Sequence, residues 1–279
     1  MRAKKSYGQH FLTNEDIARR IADALTVQGE HPTEPEQNGP LVNVVEVGPG
    51  KGFLTKYLLE KKIELLVVEA DHDMVNYLHA NYLQLHGKVI AADFLKLDFN
   101  TVFPGSHAYS SSNDAQATKS PFSIIGNFPY NISSQIVFKM IDHRERIPEL
   151  VGMFQKEMAE RIIATPGSKD YGIISVLTQA YYSGEYLFSV GNQYFDPPPK
   201  VQSGVIRLTR RDAPIDYDEK LFKQVVKQAF SQRRKMLRNT LKPFFDNEML
   251  MQDPYFTKRP ETLSVEEFVE LAKRVSTSS

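Results

Sequence analysis

The chain has 279 residues, of which 41% are hydrophobic and 24% charged, and its formal net charge is zero. This composition is ordinary for a globular protein and is sufficient for one large domain with a smaller one. The chain contains no cysteine, which excludes disulfides, thiolate metal sites and cysteine nucleophiles, and we predict no metal site. No apolar run reaches the length of a membrane span, and the basic N-terminus lacks the apolar core of a secretory signal, so we expect no membrane partner.

The chain begins with a basic stretch and the segment Gly8-Gln9-His10-Phe11-Leu12, which precedes the first predicted helix. Thr13 and Asn14 are both N-cap candidates for a helix over about residues 15–25. The segment mixes polar groups that can contact a ligand with two apolar anchors. Taken alone, the segment is better explained as an N-terminal arm packed on the core.

A glycine-rich turn follows the first predicted strand. Residues 41–47 form a β-branched run typical of a buried strand, which leads into Glu46-Val47-Gly48-Pro49-Gly50-Lys51-Gly52, and helical spacing follows over residues 53–62. Such a turn binds nucleotides, because glycines let the backbone approach a ligand and the helix N-terminus offers free N–H groups. The G-x-G-x-G spacing, with a proline inside it, disfavours pyrophosphate as the ligand.

The next two predicted strands each end at a carboxylate. A strand over residues 64–68 ends at Glu69, which can accept hydrogen bonds from both hydroxyls of a ribose. A strand over residues 88–92 ends at Asp93-Phe94, where the carboxylate meets an adenine amine or, alternatively, caps the next helix. This order indicates a nucleoside-containing cofactor, but it does not separate NAD from S-adenosylmethionine.

The stretch Gly126-Asn127-Phe128-Pro129-Tyr130 lies between a predicted buried strand, residues 122–125, and a predicted helix, residues 133–142. Ligands bind at the carboxyl ends of strands in open α/β sheets. The side-chain carbonyl of Asn127 can accept a hydrogen bond from an amine, and Tyr130 offers a face for stacking of a base. Asn and Pro in ordinary turn roles are the alternative interpretation.

Two loops connect predicted strands, one over residues 104–121 and one over residues 195–201. Residues 104–121 are polar and of low complexity, and we predict a mobile surface loop there. The segment Phe195-Asp196-Pro197-Pro198-Pro199-Lys200-Val201 lies between two closing strands, predicted over residues 185–190 and 201–208. Its three prolines make it stiff, so Phe195 is either presented on a rigid loop or forms a hydrophobic plug beneath it.

Composition changes after residue 208, and the pattern becomes helical. Residues 220–245, here called the basic segment, contain eight lysines and arginines and no acid, as expected for a partner with a phosphate backbone. Residues 232–238 have the spacing of a helix that could lay several cations along one strand, although a solvated basic helix is the alternative. The last helix is predicted from about Ser264, with a capping box to Glu267.

Together, these motifs resemble the ribosomal RNA adenine dimethyltransferase family. The segments that carry the likeness are Gly8-Gln9-His10-Phe11-Leu12, Glu46-Val47-Gly48-Pro49-Gly50, Asn127-Phe128-Pro129-Tyr130, Phe195-Asp196-Pro197-Pro198-Pro199-Lys200-Val201 and Gln232-Arg233-Arg234-Lys235-Met236-Leu237-Arg238. The resemblance implies an α/β fold, a Rossmann-like class I methyltransferase sheet with helices on both faces, over residues 1–211. A small all-α domain that binds RNA would follow over residues 212–279.

The resemblance also implies an activity. The expected reaction is S-adenosylmethionine-dependent N6-dimethylation of two adjacent adenosines in the 3′-terminal hairpin of small-subunit (16S) rRNA, with the 30S particle as partner. We expect a cytoplasmic monomer with a role in small-subunit biogenesis. The alternatives are a macrolide-resistance-type methyltransferase of large-subunit rRNA, a non-catalytic ribosome-assembly factor and an NAD-dependent Rossmann oxidoreductase.

Site residues follow from the resemblance by motif match. The cofactor would be bound by His10, Leu12, Gly48, Gly50, Glu69, Asp93, Phe94 and Asn127. The catalytic set would be Asn127, Phe128, Pro129, Tyr130 and Phe195, in which the Asn127 side chain and the Phe128 backbone carbonyl accept the amine hydrogens while Tyr130 and Phe195 sandwich the base. RNA would contact Lys200, Arg233, Arg234, Lys235 and Arg238. Many family members carry Asn at the position of His10 and Leu at that of Phe128.

Overall fold

A computed structural model of the chain describes residues 8–26, 42–103, 120–212 and 216–278. The basic N-terminal residues and nearly all of the low-complexity loop predicted at 104–121 lie outside the described residues. The strands are β1 (Phe11–Leu12), β2 (Val42–Val47), β3 (Ile63–Glu69), β4 (Val89–Ala91), β5 (Ser123–Asn127), β6 (Glu149–Gln155), β7 (Tyr182–Val190), β8 (Phe195–Asp196) and β9 (Ser203–Arg210). The α-helices are α1 (Glu15–Asp23), α2 (Thr55–Leu58), α3 (His72–Asn81), α4 (Ser133–Asp142), α5 (Lys156–Ile162), α6 (Ile173–Gln179), α7 (Glu219–Ala229), α8 (Leu237–Thr240), α9 (Asn247–Gln252) and α10 (Val265–Ser278).

Seven strands form one sheet in the order β4-β3-β2-β5-β6-β9-β7. The five strands from β4 to β6 are parallel, whereas β9 runs antiparallel to β6. The parallel strands are rich in β-branched residues and are mostly buried, as expected for a sheet covered on both faces. The predicted Rossmann-like fold is therefore confirmed.

The order of the parallel strands positions the functional motifs. The chain moves outward from β2 through β3 to β4, and then returns to the other side of β2 with β5. The strand order therefore reverses between β2 and β5, and ligands bind at such a point outside the carboxyl ends of the strands. The register pairs Glu46 with Ile125, so that Gly48, directly after β2, lies beside Asn127, the last residue of β5.

Helix starts agree with the predicted capping residues. Asn14 Oδ1 accepts a hydrogen bond of 3.0 Å from the backbone N–H of Ile17 at the start of α1. At α10, the Ser264 N–H donates to Glu267 Oε2 at 2.8 Å, and the Glu267 N–H donates to Ser264 Oγ at 3.2 Å. The predicted capping box is confirmed. Among the described residues, no helix has the length and apolar character needed to cross a membrane.

The chain divides into two compact units, and the division differs from the predicted domains. The first unit comprises residues 1–159 and 185–210, and the second comprises residues 160–184 and 211–279. Residues 160–184, which we had assigned to the first domain, thus group with the C-terminal helices. Within the second unit, the Gly167 N–H donates to the Glu261 carbonyl oxygen at 2.6 Å. The sequence pattern could not assign residues 160–184 to the second unit, because this assignment depends on contacts between residues that are distant in the chain.

The predicted helix over residues 232–238 is not continuous. A 3₁₀ turn ends at Gln232, Met236 has extended backbone, and α8 begins only at Leu237. Leu237 is fully buried and its N–H donates to the Lys258 carbonyl oxygen at 2.9 Å, while Phe230 stacks on Phe268 at 5.7 Å. The chain must turn between these two anchors, so its cations do not lie along one helix face.

Candidate active site

A cleft of about 800 Å³ lies at the carboxyl ends of the parallel strands. Its walls are the glycine turn after β2, the tips of β3 and β4, the motif after β5 and the N-terminal arm (residues 8–12). Every residue that we assigned to the cofactor lines this cleft, and so do four of the five residues of the catalytic set, among which Asn127 belongs to both sets. These residues are His10, Leu12, Gly48, Gly50, Glu69, Asp93, Phe94 and Asn127, with Phe128, Pro129 and Tyr130.

The glycine turn holds the carboxylate at the tip of β3. Gly50 has φ of +55°, and a Cβ there would lie 2.9 Å from the ring of Phe11, so only glycine fits beneath the arm. The Gly50 N–H donates to Glu69 Oε2 at 3.1 Å, and the Asp71 N–H donates to Glu69 Oε1 at 2.9 Å. Burial raises the pKa of Glu69, and these hydrogen bonds oppose the increase. Each carboxylate oxygen retains a lone pair for a ligand.

The carboxylate at the tip of β4 has two roles. Asp93 Oδ1 accepts a hydrogen bond of 2.9 Å from the Leu95 N–H and so caps a short 3₁₀ turn, Phe94–Lys96. Asp93 also lines the cleft, and its Oδ2 forms a long ion pair of 4.0 Å with Lys96 Nζ, which leaves lone pairs on that oxygen for a ligand. Phe94 lies beside it and is 3% exposed. The capping interpretation and the binding interpretation are therefore compatible.

The Asn127 side chain is oriented by the N-terminal arm. Its Nδ2 donates to the backbone carbonyl oxygen of His10 at 2.9 Å. The His10 ring is fixed in turn, because Nδ1 lies 2.7 Å from the Pro197 carbonyl oxygen and the ring stacks on Tyr130 at 5.5 Å. The amide oxygen of Asn127 is thus the end of the group that remains for a substrate.

Phe128 contributes backbone to the site and its side chain to the core. The ring is 1% exposed and lies 5.1 Å from that of Phe154. A Cβ at Gly152 would lie 2.2 Å from the Phe128 ring, so the neighbouring strand must carry glycine there. This position fits the hypothesis that the backbone carbonyl of Phe128, and not its ring, meets the substrate.

Tyr130 is held from the side of the antiparallel strand. Its hydroxyl lies 2.7 Å from Oγ of the buried Ser203 in β9. Burial raises the pKa of Tyr130, so the phenol stays neutral at physiological pH. A neutral ring fixed at its far end is suited to stacking rather than to proton transfer.

Phe195 does not lie where we expected it. The residue pairs with Leu12 where β8 meets β1, and its side chain is 4% exposed. It belongs to the buried hydrophobic cluster that also contains Ile17 and Val190. The plug interpretation therefore describes this residue better than a base-stacking role, because the ring is removed from the cleft by strand pairing with the arm.

Comparisons with known proteins identify the family. A family model described as "Ribosomal RNA adenine dimethylase" matches residues 1–275. The chain belongs to this family.

Similar proteins of the ribosomal RNA adenine dimethylase family share most of the chain's length. The "Ribosomal RNA small subunit methyltransferase A" of Flavobacterium johnsoniae is 50% identical over 276 residues, which cover 99% of this chain and 96% of that protein. The protein of the same name from Parabacteroides distasonis is 50% identical over 273 residues, 97% of this chain and 93% of that protein. A solved dimethyladenosine transferase from Plasmodium falciparum has a TM-score of 0.72 at 24% identity, covers 96% of this chain and 98% of its own, and supports the fold.

Several residues of this dimethylase site were not assigned a role from the sequence. Glu46 is 1% exposed, lines the cleft and accepts a hydrogen bond of 2.7 Å from Thr55 Oγ1. Burial raises its pKa to about 8, so it is mostly protonated at neutral pH. Gln9 Nε2 donates to Asp71 Oδ2 at 3.0 Å, which ties the arm to the helix cap beside Glu69. The role of Glu46 could have been suspected from the sequence, because an acid is unusual inside a buried strand. The contact between Gln9 and Asp71 could not, because the two residues are 62 positions apart.

The predicted RNA-binding cations differ in their surroundings. Arg233 Nη2 donates to the Ser168 carbonyl oxygen at 3.1 Å and is partly buried. Arg234 and Lys235 are exposed, as is Lys200 in the first unit. Arg238, the fifth predicted cation, is partly buried. The structure thus gives Arg233 a structural contact within the second unit and leaves Lys200, Arg234 and Lys235 the most accessible to a partner.

Proposed function

We propose that this chain transfers methyl groups from S-adenosylmethionine to the N6 amines of two adjacent adenosines in the 3′-terminal hairpin of small-subunit (16S) rRNA. The observation that carries the proposal is the Asn127–His10 hydrogen bond, which leaves the Asn127 amide oxygen for an amine at the switch point of the sheet. The small-subunit target is favoured over large-subunit rRNA by relatives that are 50% identical and named for the small subunit.

The residues of the cleft fit this cofactor. Glu69 and Asp93 are two carboxylates at adjacent strand tips, each held by a backbone N–H and each with free acceptor capacity for ribose hydroxyls and an adenine amine. The glycine turn allows close approach of a ligand, and the volume of about 800 Å³ suits a cofactor of this size. When bound, S-adenosylmethionine supplies a methyl group already activated by its sulfonium.

The protein's part in the reaction is to position the acceptor amine. An adenine amine is a weak nucleophile, because its lone pair is delocalised into the ring. Asn127 Oδ1 and the Phe128 backbone carbonyl each accept a hydrogen bond from one N–H group of the amine. These two hydrogen bonds draw the nitrogen toward tetrahedral geometry and direct its lone pair at the methyl donor. Tyr130 stacks on the base, which must leave its helical stack to reach the cleft. Positioning of this kind supplies most of the rate gain.

The second unit supplies affinity for RNA in this proposal. Arg234, Lys235 and Arg238 would meet phosphates, and Lys200 would do so from the first unit. We further propose that the enzyme acts as a cytoplasmic monomer on a 30S assembly particle.

The test is transfer of labelled methyl groups to 30S particles from a strain that lacks these methylations and, in a parallel reaction, to large-subunit rRNA from the same strain. Primer extension across both rRNAs locates the products, and Asn127→Ala serves as the inactive control. Two modified adjacent adenosines near the 3′ end of 16S rRNA are expected. Modification of large-subunit rRNA instead would overturn the assignment of the substrate.

A further inference from the structure

Lys139 is partly buried and contacts the segment after β4 that forms one wall of the cleft. It lies in α4, the helix that follows the Asn127 motif, and it does not line the cleft itself. Its Nζ donates to the carbonyl oxygen of Leu95 at 2.9 Å and to that of Leu97 at 2.7 Å. One ammonium group therefore holds two partly buried carbonyls, those of Leu95 and Leu97, in the segment that follows β4.

These carbonyls end the turn that carries Asp93 and Phe94. The turn begins where Asp93 Oδ1 accepts from the Leu95 N–H, and it continues through the Lys96 N–H, which donates to the Asp93 carbonyl oxygen at 3.0 Å. Asp93 therefore restrains the start of the turn and Lys139 restrains its end. Short 3₁₀ turns have weak internal hydrogen bonds, so external anchors contribute much of their order.

The surroundings of Lys139 favour a fixed cation. Its Nζ lies 4.6 Å from the ring centroid of Phe99 and 5.7 Å from that of Phe94, which are cation–π distances. Phe94 and Phe99 contact each other with centroids 5.5 Å apart. The ammonium group is thus placed between the rings and the carbonyls, and its removal would loosen the packing of Phe94 as well as the turn.

We propose that Lys139 is a positioning residue that sets the enzyme's selectivity for the adenine part of its cofactor. It holds the turn so that Asp93 Oδ2, which has a long ion pair of 4.0 Å with the exposed Lys96, and the ring of Phe94 keep the geometry that recognises an exocyclic amine. The inference rests on the proposed function, in which Asp93 accepts a hydrogen bond from the adenine amine. A base that carries a carbonyl in place of that amine would be rejected. Its carbonyl oxygen and the Asp93 carboxylate are both acceptors, so no hydrogen bond can form between them.

The experiment compares two ligands that differ only at this position, S-adenosylhomocysteine and S-inosylhomocysteine, by titration calorimetry. Lys139→Met keeps the length and apolar stem of the side chain and removes its donors. We expect it to weaken binding of the adenosyl ligand roughly tenfold, as for loss of charged hydrogen bonds, with little effect on the inosyl ligand. The affinity ratio should therefore fall. Lys139→Arg should restore the ratio to within about twofold, since a guanidinium retains both the charge and the donors.

Arg146 offers a matched control on the same stretch of chain. Its guanidinium is buried, donates to the carbonyl oxygens of Val102 at 2.8 Å and Ser120 at 2.9 Å, and lies 5.2 Å from the Phe122 ring. Neither Arg146 nor these partners line the cleft. Arg146→Met should lower the melting temperature and leave the affinity ratio unchanged, which separates loss of stability from loss of selectivity.

The affinity ratio tests the role of Lys139, and binding of S-adenosylhomocysteine by the native protein tests the proposed cofactor. An unchanged ratio in folded Lys139→Met would overturn the role of Lys139. If that variant does not fold, Lys139→Gln, which keeps one donor pair, should show an intermediate ratio, and a ratio equal to that of the native protein would overturn the proposal. Failure of the native protein to bind S-adenosylhomocysteine would refute the proposed cofactor instead. As a further readout, kcat at saturating S-adenosylmethionine should stay near its native value while KM rises.

Discussion

The Asn127 side chain donates from Nδ2 to the backbone carbonyl oxygen of His10, 117 positions earlier in the chain, at 2.9 Å. Because a carbonyl can only accept, the amide nitrogen must face His10 and the amide oxygen must face away from it. The N-terminal arm thereby decides which end of the Asn127 amide faces the cleft.

Replacement of Asn127 tests this orientation. Asn127→Ala removes one of the two acceptors of the amine, and we expect kcat to fall by about 10²–10³-fold, as for the loss of one preorganised polar contact. Asn127→Asp should be similarly impaired, because a carboxylate cannot donate to His10. Single-turnover kinetics and S-adenosylhomocysteine titrations measure the two effects separately. Near-native rates in both variants would contradict the positioning mechanism.

Glu69 should govern cofactor affinity more than the rate of the chemical step. Glu69→Gln keeps the size of the side chain but places an amide nitrogen against one of the N–H groups of Gly50 and Asp71. We expect KM for S-adenosylmethionine to rise at least tenfold with kcat nearly unchanged, since the ribose contact is uniform binding, worth roughly 1.5–3 kcal/mol for a charged hydrogen bond. Glu64→Gln, on the same strand and paired with Lys88, is the control. Unaltered calorimetric affinity in Glu69→Gln would show that the ribose lies elsewhere.

Phe195 should contribute stability rather than substrate stacking. Phe195→Ala should lower the free energy of unfolding by about 3–5 kcal/mol, the usual cost of truncating a buried phenylalanine. Phe195→Leu should retain the fold and most of the methyl transfer, because an aliphatic side chain can fill the core beside Leu12. Denaturant unfolding and steady-state assays decide between the roles. A stable Phe195→Leu enzyme with greatly weakened RNA turnover would restore the stacking hypothesis.

The exposed cations of the basic segment should set affinity for RNA. Arg234→Gln and Lys235→Gln should each lower the slope of log affinity against log salt by roughly 0.7–0.9, as expected for one lost phosphate contact. Lys62→Gln, the same charge change at an exposed position of the first unit, should leave the slope unaltered. Fluorescence titrations with undermethylated 30S particles at several salt concentrations provide the measurement. Arg233→Gln should instead reduce stability, because it removes the hydrogen bond to the Ser168 carbonyl oxygen. Equal salt slopes for all four variants would exclude the basic segment from the RNA interface.

The buried acid Glu46 should make stability depend on pH. Burial raises its pKa from about 4.5 to about 8, so the folded state binds a proton that the unfolded state releases. Its stabilising effect is complete below about pH 4.5 and is lost as the pH rises through about 8. The Glu46→Gln side chain can still accept a hydrogen bond from Thr55. As the pH rises from about 4.5 to about 8, the free energy of unfolding of this variant should therefore increase relative to that of the native protein, and above about pH 8 the difference should stay constant. Urea unfolding at a series of pH values measures this difference, with the 81% exposed Glu145→Gln as control. A difference that does not vary with pH would show that Glu46 is ionised in the folded state.

The sequence by itself determined the parallel strands, the glycine turn, the acids at the strand tips and the helix caps. These features depend on neighbouring residues: β-branched runs favour buried strands, and the spacing of Ser264 and Glu267 is sufficient for a capping box. The resemblance to the dimethyltransferase family, rather than the local pattern, placed Gly48, Glu69 and Asn127 around one cofactor, and all three line one cleft.

Tertiary structure alone decided the partners of the side chains. Pairing of β1 with β8 buries Phe195, and contacts within the second unit recruit residues 160–184 to it and turn the chain after Gln232. Hydrogen bonds such as that of Lys139 to Leu95 and Leu97 span more than 40 positions, a separation at which no periodicity persists. Side-chain burial and long-range hydrogen bonding are consequences of packing between distant segments, so they exist only once the sheet has brought those segments together.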